Sequence, residues 1–139
     1  MGRGCASWGN AGKMGVKAPM LDSFNYPANN RGGNSQVILS QVPPGTYAVY
    51  LYGHGANPLY YGDYTVSVAG RDYGRKKTSS SNDDATKDTS WVEGCQYVRF
   101  PAVKVAAGEN LKILIRPSGW INGISDAMIC GLQLVLVKR

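Results

Sequence analysis

Residues able to do chemistry are sparse and unevenly placed in this chain. The single histidine, His54, stands between Gly53 and Gly55. A zinc site wants several nitrogen or sulfur ligands, so one imidazole cannot build a metal centre by itself, and beside glycines it reads as a turn residue or a hydrogen-bond donor. A Ser-His-acid triad would have to use His54 with no Gly-x-Ser-x-Gly elbow in the chain. Paired carboxylates for glycoside hydrolysis would have to come from Asp63, Asp83, Asp84, Asp88, Glu93 or Asp126, all in loops or at loop edges. The residue types point to binding without turnover, and no enzymatic activity is expected.

Two constellations suit binding. The segment Pro117-Ser118-Gly119-Trp120-Ile121-Asn122-Gly123 puts an indole in a Gly-rich loop. Sugar recognition needs an aromatic face against the apolar side of a pyranose, with amide, carboxylate or guanidinium groups to bond its hydroxyls. Trp120, Asn122, Arg116 and Asp126 supply that mixture, unless Trp120 folds back to plug the end of the domain and Asn122 and Asp126 only shape the turn. The second constellation runs from Gly53 to Asp63 and holds His54, Asn57, Tyr60 and Tyr61. Adjacent tyrosines on extended chain cannot both point inward. Either one faces a ligand, or the pair is a tyrosine corner beside a solvated loop. The candidate ligand-binding residues are therefore Trp120, Tyr60, Tyr61, His54, Asn57, Arg116 and Asn122.

Charge adds two further candidates. Asn82-Asp83-Asp84, near Asp88 and Glu93, offers hard oxygens, so Asp83 or Asp84 with backbone carbonyls could hold a structural calcium ion; the alternative is a solvated loop, and the spacing is not that of an EF-hand. Lys and Arg number 15 against 9 Asp and Glu, a net charge of +6, with Arg71, Arg75, Lys76 and Lys77 as the densest cluster. Strand alternation would split Arg75 and Lys77 from Lys76, leaving no continuous stripe. No helix-turn-helix, RNA-binding or OB signature accompanies the cluster, so an anionic glycan is a better partner for this charge than nucleic acid. Cys5, Cys95 and Cys130 are odd in number and widely spaced, which excludes a metal knuckle and a full disulfide framework. One pair could bridge in an extracellular setting, but Cys95 and Cys130 fall in strand-like segments, which favours buried free thiols. No apolar run is long enough for a membrane helix, so no membrane partner is expected.

These residues must be positioned by strands. Apolar segments bounded by Gly, Pro, Asn or Ser clusters predict eight strands, at 20–26, 36–42, 46–53, 64–69, 72–77, 96–105, 110–116 and 128–138, and no helix of three turns. Residues 1–18 show no periodicity and read as a poorly defined N-terminal segment or expression remnant, leaving 19–139 as one all-β antiparallel sandwich domain. Leu111, Ile113 and Ile115 share one face, with Lys112 and Arg116 on the opposite face, so that strand has one wet face. The segment 128–137 is apolar on both faces apart from Gln133 and reads as a central strand covered on both sides. In 46–53, Tyr47, Val49 and Leu51 share one face and Ala48, Tyr50 and Tyr52 the other. That strand is either central, with its tyrosines covered, or carries an aromatic ligand platform. The connections alternate in length: 43–45, 70–71 and 106–109 are short, whereas 54–63, 78–94 and 117–127 are long. In an antiparallel sandwich this parity gathers the three long loops at one end and the tight turns at the other. Function is expected at the long-loop end.

Pro19-Met20-Leu21-Asp22 with Tyr26, the run from Val42 through Pro43-Pro44-Gly45-Thr46-Tyr47 to Gly53, Tyr64-Thr65-Val66-Ser67-Val68, Trp91-Val92-Glu93-Gly94 with Tyr97 and Val103, and Gly131-Leu132-Gln133-Leu134-Val135 together resemble the galactose-binding-like jelly-roll modules. The resemblance spans roughly Pro19 to Val137. It implies a jelly-roll sandwich and, as the commonest role, non-catalytic binding of a polysaccharide. It also implies an extracellular or cell-surface setting within a larger secreted protein, since such modules occur in large secreted bacterial proteins. The same fold also serves as a spacer, adhesin segment or oligomer subunit, which is the competing expectation.

Overall fold

The structure, a computed structural model, describes residues 5–9, 23–27, 33–53, 61–78, 91–117 and 127–138. These contain nine strands and no helix: β1 (Cys5–Gly9), β2 (Ser23–Pro27), β3 (Ser35–Leu39), β4 (Gly45–Tyr52), β5 (Asp63–Val68), β6 (Arg71–Lys77), β7 (Tyr97–Val105), β8 (Leu111–Ile115) and β9 (Gly131–Lys138). A four-stranded sheet in the order β3-β8-β5-β6 accompanies a three-stranded sheet in the order β7-β4-β9, and β1 and β2 form a separate pair. All strand pairings are antiparallel. The domain is an all-β antiparallel sandwich, as the sequence predicts.

Period-two alternation builds the core. Leu111, Ile113 and Ile115 on β8 and Tyr64, Val66 and Val68 on β5 point inward from one sheet, and Val49 and Leu51 on β4 with Val98, Phe100, Val103 and Val105 on β7 point inward from the other. Burying each such aliphatic side chain contributes about 1.5–3 kcal/mol. The hairpin between β5 and β6 turns on Ala69 and Gly70, both at positive φ (47° and 82°), the backbone that lets a two-residue turn match the strands' twist. Along one long side the sheets are stitched together. The Tyr73 hydroxyl donates to the Lys104 carbonyl (3.1 Å), and Lys76 Nζ donates to the Arg99 carbonyl (2.6 Å).

Three sequence expectations are corrected. The predicted central strand is β9, and it lies at the edge of its sheet, with Val135, Leu136 and Val137 exposed at 39%, 43% and 58%. Two apolar faces were read as two covers, but strand order places β4, not β9, in the middle. Cys95 lies in the turn before β7 and Cys130 just ahead of β9, so neither is within a strand; both are half-buried. Finally, a strand not foreseen, β1, forms before residue 20 and pairs with β2 from Cys5 opposite Pro27 to Gly9 opposite Ser23; a short Gly-flanked segment carries too little alternation to announce itself.

Two carboxylates lock strands together and set an acid limit on stability. Asp63 is 2% exposed and accepts two hydrogen bonds from Arg75, at 2.7 and 2.5 Å, with Lys77 Nζ at 3.5 Å. Burial pushes its carboxyl up, but the Arg75 bonds and the charges of Arg75 and Lys77 outweigh this and hold it below the ordinary 3.8. Glu109 is held at about 2, against 4.5, by its hydrogen bonds from Arg71 and from the Ala106 amide. A folded-state value below the unfolded one stabilises above the ordinary carboxylate range and is lost as protons bind the folded form. The thermal midpoint is therefore expected to hold from pH 7 to about 4.5 and to fall progressively toward pH 2. In melts across that range Asp63→Asn should lower the neutral midpoint and flatten part of the acid slope, and an unchanged slope would remove Asp63 from the account.

Candidate functional site

The roots of the three long loops meet at one end of the sandwich. The Gly53 amide donates to the Gln96 carbonyl (3.1 Å), Gly62 to the Gly53 carbonyl (3.3 Å), Thr78 to the Gly62 carbonyl (3.0 Å), Arg116 to the Asp63 carbonyl (2.9 Å) and Cys130 to the Tyr52 carbonyl (2.8 Å). Thr78 closes the group with its side chain, which accepts from the Gly62 amide (2.7 Å) and donates to the Gly53 carbonyl. Beneath it Tyr64 is fully buried, with its hydroxyl within hydrogen-bonding reach of the Tyr52 carbonyl (3.0 Å) and the Met128 carbonyl (3.1 Å). Burial, then Cys130 and Asp63, hold that phenol well above its ordinary 10.0, so it stays a donor. The short connections lie at the opposite end, where Arg71 grips Glu109. The parity of loop lengths thus places the loop roots correctly.

Beside these roots, on the outer face of the three-stranded sheet, four aromatic rings form a continuous row. Trp91 meets the Tyr52 ring edge-on with centroids 5.4 Å apart; Tyr52 lies 5.7 Å from Tyr97, and Tyr97 lies 5.8 Å from Tyr50. The Arg99 guanidinium sits 5.7 Å from the Tyr50 centroid and ends the row. Register explains the assembly: on β4, Tyr50 and Tyr52 point away from the core and stand opposite Arg99 and Tyr97 of β7 and opposite Gln133 and Gly131 of β9. A compact turn sets Trp91 in place, in which Gln96 Oε1 accepts from the Val92 amide (2.9 Å) and Cys95 donates to the Val92 carbonyl (3.0 Å). The rings are only half-buried and Trp91 is 44% exposed. The Tyr52 hydroxyl donates to Gln133 Oε1 (3.2 Å), and burial, with Tyr97 and Tyr50 nearby, raises its pKa further above 10.0. Aromatic faces fringed by a guanidinium and a carboxamide can stack on a sugar ring while bonding its substituents.

Of the residues singled out from the sequence, Tyr61 and Arg116 are described. Tyr61 is half-buried under the Lys77 amino group, 5.7 Å from its ring centroid. Arg116 is half-buried and donates from Nη1 to Thr65 Oγ1 (2.6 Å). Both sit at the loop end on the four-stranded sheet. His54, Asn57, Tyr60, Trp120 and Asn122, and the calcium candidates Asp83 and Asp84, lie outside the described residues. Among the described residues no group of three or more His, Cys, Asp or Glu side chains could hold a metal ion. Strand β4 is the middle strand of its sheet, and Tyr50 and Tyr52 stand half-buried on its outer face. Trp91, Tyr97, Arg99 and Gln133 were missed as the other members of that face. The alternation of Tyr97 and Arg99 was the available signal, but only the pairing of β7 with β4 turns it into a shared face.

No protein-family model matches the chain, and no curated protein matches it. Among solved structures, the crystal structure of the plant receptor-like kinase ANX2 is similar, with a TM-score of 0.56 at 13% identity over 96% of this chain and 38% of that one. An exo-β-1,3-galactanase from Phanerochaete chrysosporium, solved with galactose, superposes with a TM-score of 0.47 at 16% identity over 96% of this chain and 26% of that one. The chain thus spans well under half the length of either. The first likeness is one of fold, and it agrees with an antiparallel β-sandwich of jelly-roll type.

Proposed function

We propose that this domain is a non-catalytic carbohydrate-binding module of the galactose-binding-like kind, which holds a polysaccharide against the loop end and the aromatic row beside it. The observation that carries this reading is the row Trp91, Tyr52, Tyr97 and Tyr50, four contacting rings, three half-buried and one exposed, outside the core. Core aromatics would be covered, and isolated surface rings would not form a platform. The loop residues Trp120, Tyr60, Tyr61, His54, Asn57, Arg116 and Asn122 extend the same site in this reading. An extracellular or cell-surface setting and a calcium ion at Asp83 or Asp84 are carried over from the family resemblance. The test is gel retardation and tryptophan fluorescence against neutral, uronic and sulfated polysaccharides, with and without calcium. Saturable retardation that Trp120→Ala weakens supports the loop residues, and no retardation by any chain would overturn the module.

One observation favours a second reading, a structural or protein-interaction module: the apolar free edge of β9, where Val135, Leu136 and Val137 are exposed. Unprotected sheet edges are templates for pairing with another chain. A mass that rises with concentration in sedimentation, in a protein that retards on no glycan, would favour this alternative.

A further inference from the structure

We infer that the chain gripped by the aromatic row is acidic, and that Arg99 is the residue that receives a uronate carboxylate. The inference rests on the carbohydrate reading above. Among the described residues the four cations of β6 are already engaged, and Lys104, the other cation of β7, stands opposite Thr46 near the tight turns. Arg71 is paired with Glu109, Arg75 and Lys77 with Asp63, and Lys76 with Glu93 at 3.5 Å. Arg99 has no carboxylate and no side-chain hydrogen bond among those residues, and its Nε is buried without a partner. Its Nε is buried and its head lies over the Tyr50 ring, so the guanidinium is held in position with no carboxylate paired to it among the described residues. A planar fork of donors fixed in this way matches a carboxylate, which can accept two parallel hydrogen bonds.

The position of Arg99 fits a single sugar residue. Tyr50 stands between Arg99 on β7 and Gln133 on β9 in one cross-strand row. Two strand spacings separate the outer pair, on the order of 10 Å, a span that one pyranose ring can bridge. A ring stacked on Tyr50 would present a carboxylate to Arg99 on one side and a hydroxyl to the Gln133 amide on the other. The next residues of the chain would run over Tyr97 and Tyr52 toward Trp91. Lys76 Nζ bonds the Arg99 carbonyl (2.6 Å), which fixes the backbone from which the guanidinium projects.

The net charge of +6 would attract any polyanion weakly, so the test compares matched pairs. Polyglucuronate, polygalacturonate and alginate are each titrated beside their own carboxyl-reduced derivative, with dextran sulfate beside dextran. At least one uronate is expected to bind at least about ten-fold more tightly than its reduced form. Arg99→Gln should bring that uronate down to the reduced form's affinity and leave the reduced form unchanged. Arg99→Lys should fall between, keeping the charge but losing the fork. Lys112→Gln, an exposed cation on β8, should leave both affinities unchanged. Equal binding of a uronate and its reduced form, or equal losses from Arg99→Gln and Lys112→Gln, overturns the assignment while the carbohydrate reading stands. Arg99-dependent binding of dextran sulfate without any uronate also overturns it. Failure of every neutral, reduced and acidic chain overturns both. Thermal melts of each variant confirm that it is folded.

Discussion

Gly62→Ala is expected to destabilise the domain by about 3 kcal/mol, lowering the melting temperature by about 10 °C. A methyl group there would overlap the hydroxyl and the ring of Tyr64, which is fully buried and has nowhere to go. The Gly62 amide meanwhile donates to both the Gly53 carbonyl and Thr78 Oγ1, so the backbone cannot retreat without breaking the clamp that joins two loop roots. Gly53→Ala meets the same tyrosine, but chiefly at its hydroxyl; once that oxygen is removed, the tightest contacts left are 3.0 Å to Gly62 Cα and 3.1 Å to the ring. The two glycines should therefore respond differently to Tyr64→Phe. That change partly rescues Gly53→Ala and leaves Gly62→Ala as damaged as before, at its own cost of about 1–3 kcal/mol for the lost buried hydrogen bond. Chemical denaturation of the three single variants and the two double variants checks this, and equal rescue of both glycines would show that the ring is not the obstacle.

Trp91→Ala and Tyr97→Ala are expected to weaken polysaccharide binding by roughly 10- to 100-fold each, the range for truncating a central aromatic anchor. They should do so with different side effects. Trp91 is 44% exposed and touches the row through Tyr52 alone, so its removal should leave the melting temperature nearly unchanged. Tyr97 lies between Tyr50 and Tyr52 and contacts both, so its loss should also reduce stability. The double variant should lose less than the product of the two, because both rings act through Tyr52. Isothermal titration with the best chain from the panel reads these effects. Unchanged affinity in both variants would move the site away from this face.

Much of the sandwich was legible because turn residues punctuate it. Pro43-Pro44-Gly45, Gly70-Arg71 and the run 106–109 bracket strands whose alternation reads directly, and the order of short and long connections was enough to place their roots. Strand order was not legible, since hydrophobicity says that β9 can be covered without saying that anything covers it. The aromatic row was half legible. Tyr50 and Tyr52 fall on one face by counting along a single strand, whereas their partners Tyr97, Arg99 and Gln133 come from strands far along the chain whose register no local pattern fixes. Arg116 was read as a free ligand group; the structure shows one of its nitrogens already bonded to Thr65, a contact set by pairing between β8 and β5.

β4 and β9 run antiparallel, so Lys138 stands opposite Thr46 while Gly131 stands opposite Tyr52. The chain therefore leaves β9 roughly 15 Å from Tyr50, the nearest ring of the aromatic row, at about 3.3 Å per residue. Immobilised through a tag joined after Lys138, the domain would stand on a sensor surface with its tight turns down and its rings and loop roots toward the flowing analyte. Such an attachment orients every molecule alike and leaves the face under test clear of the matrix.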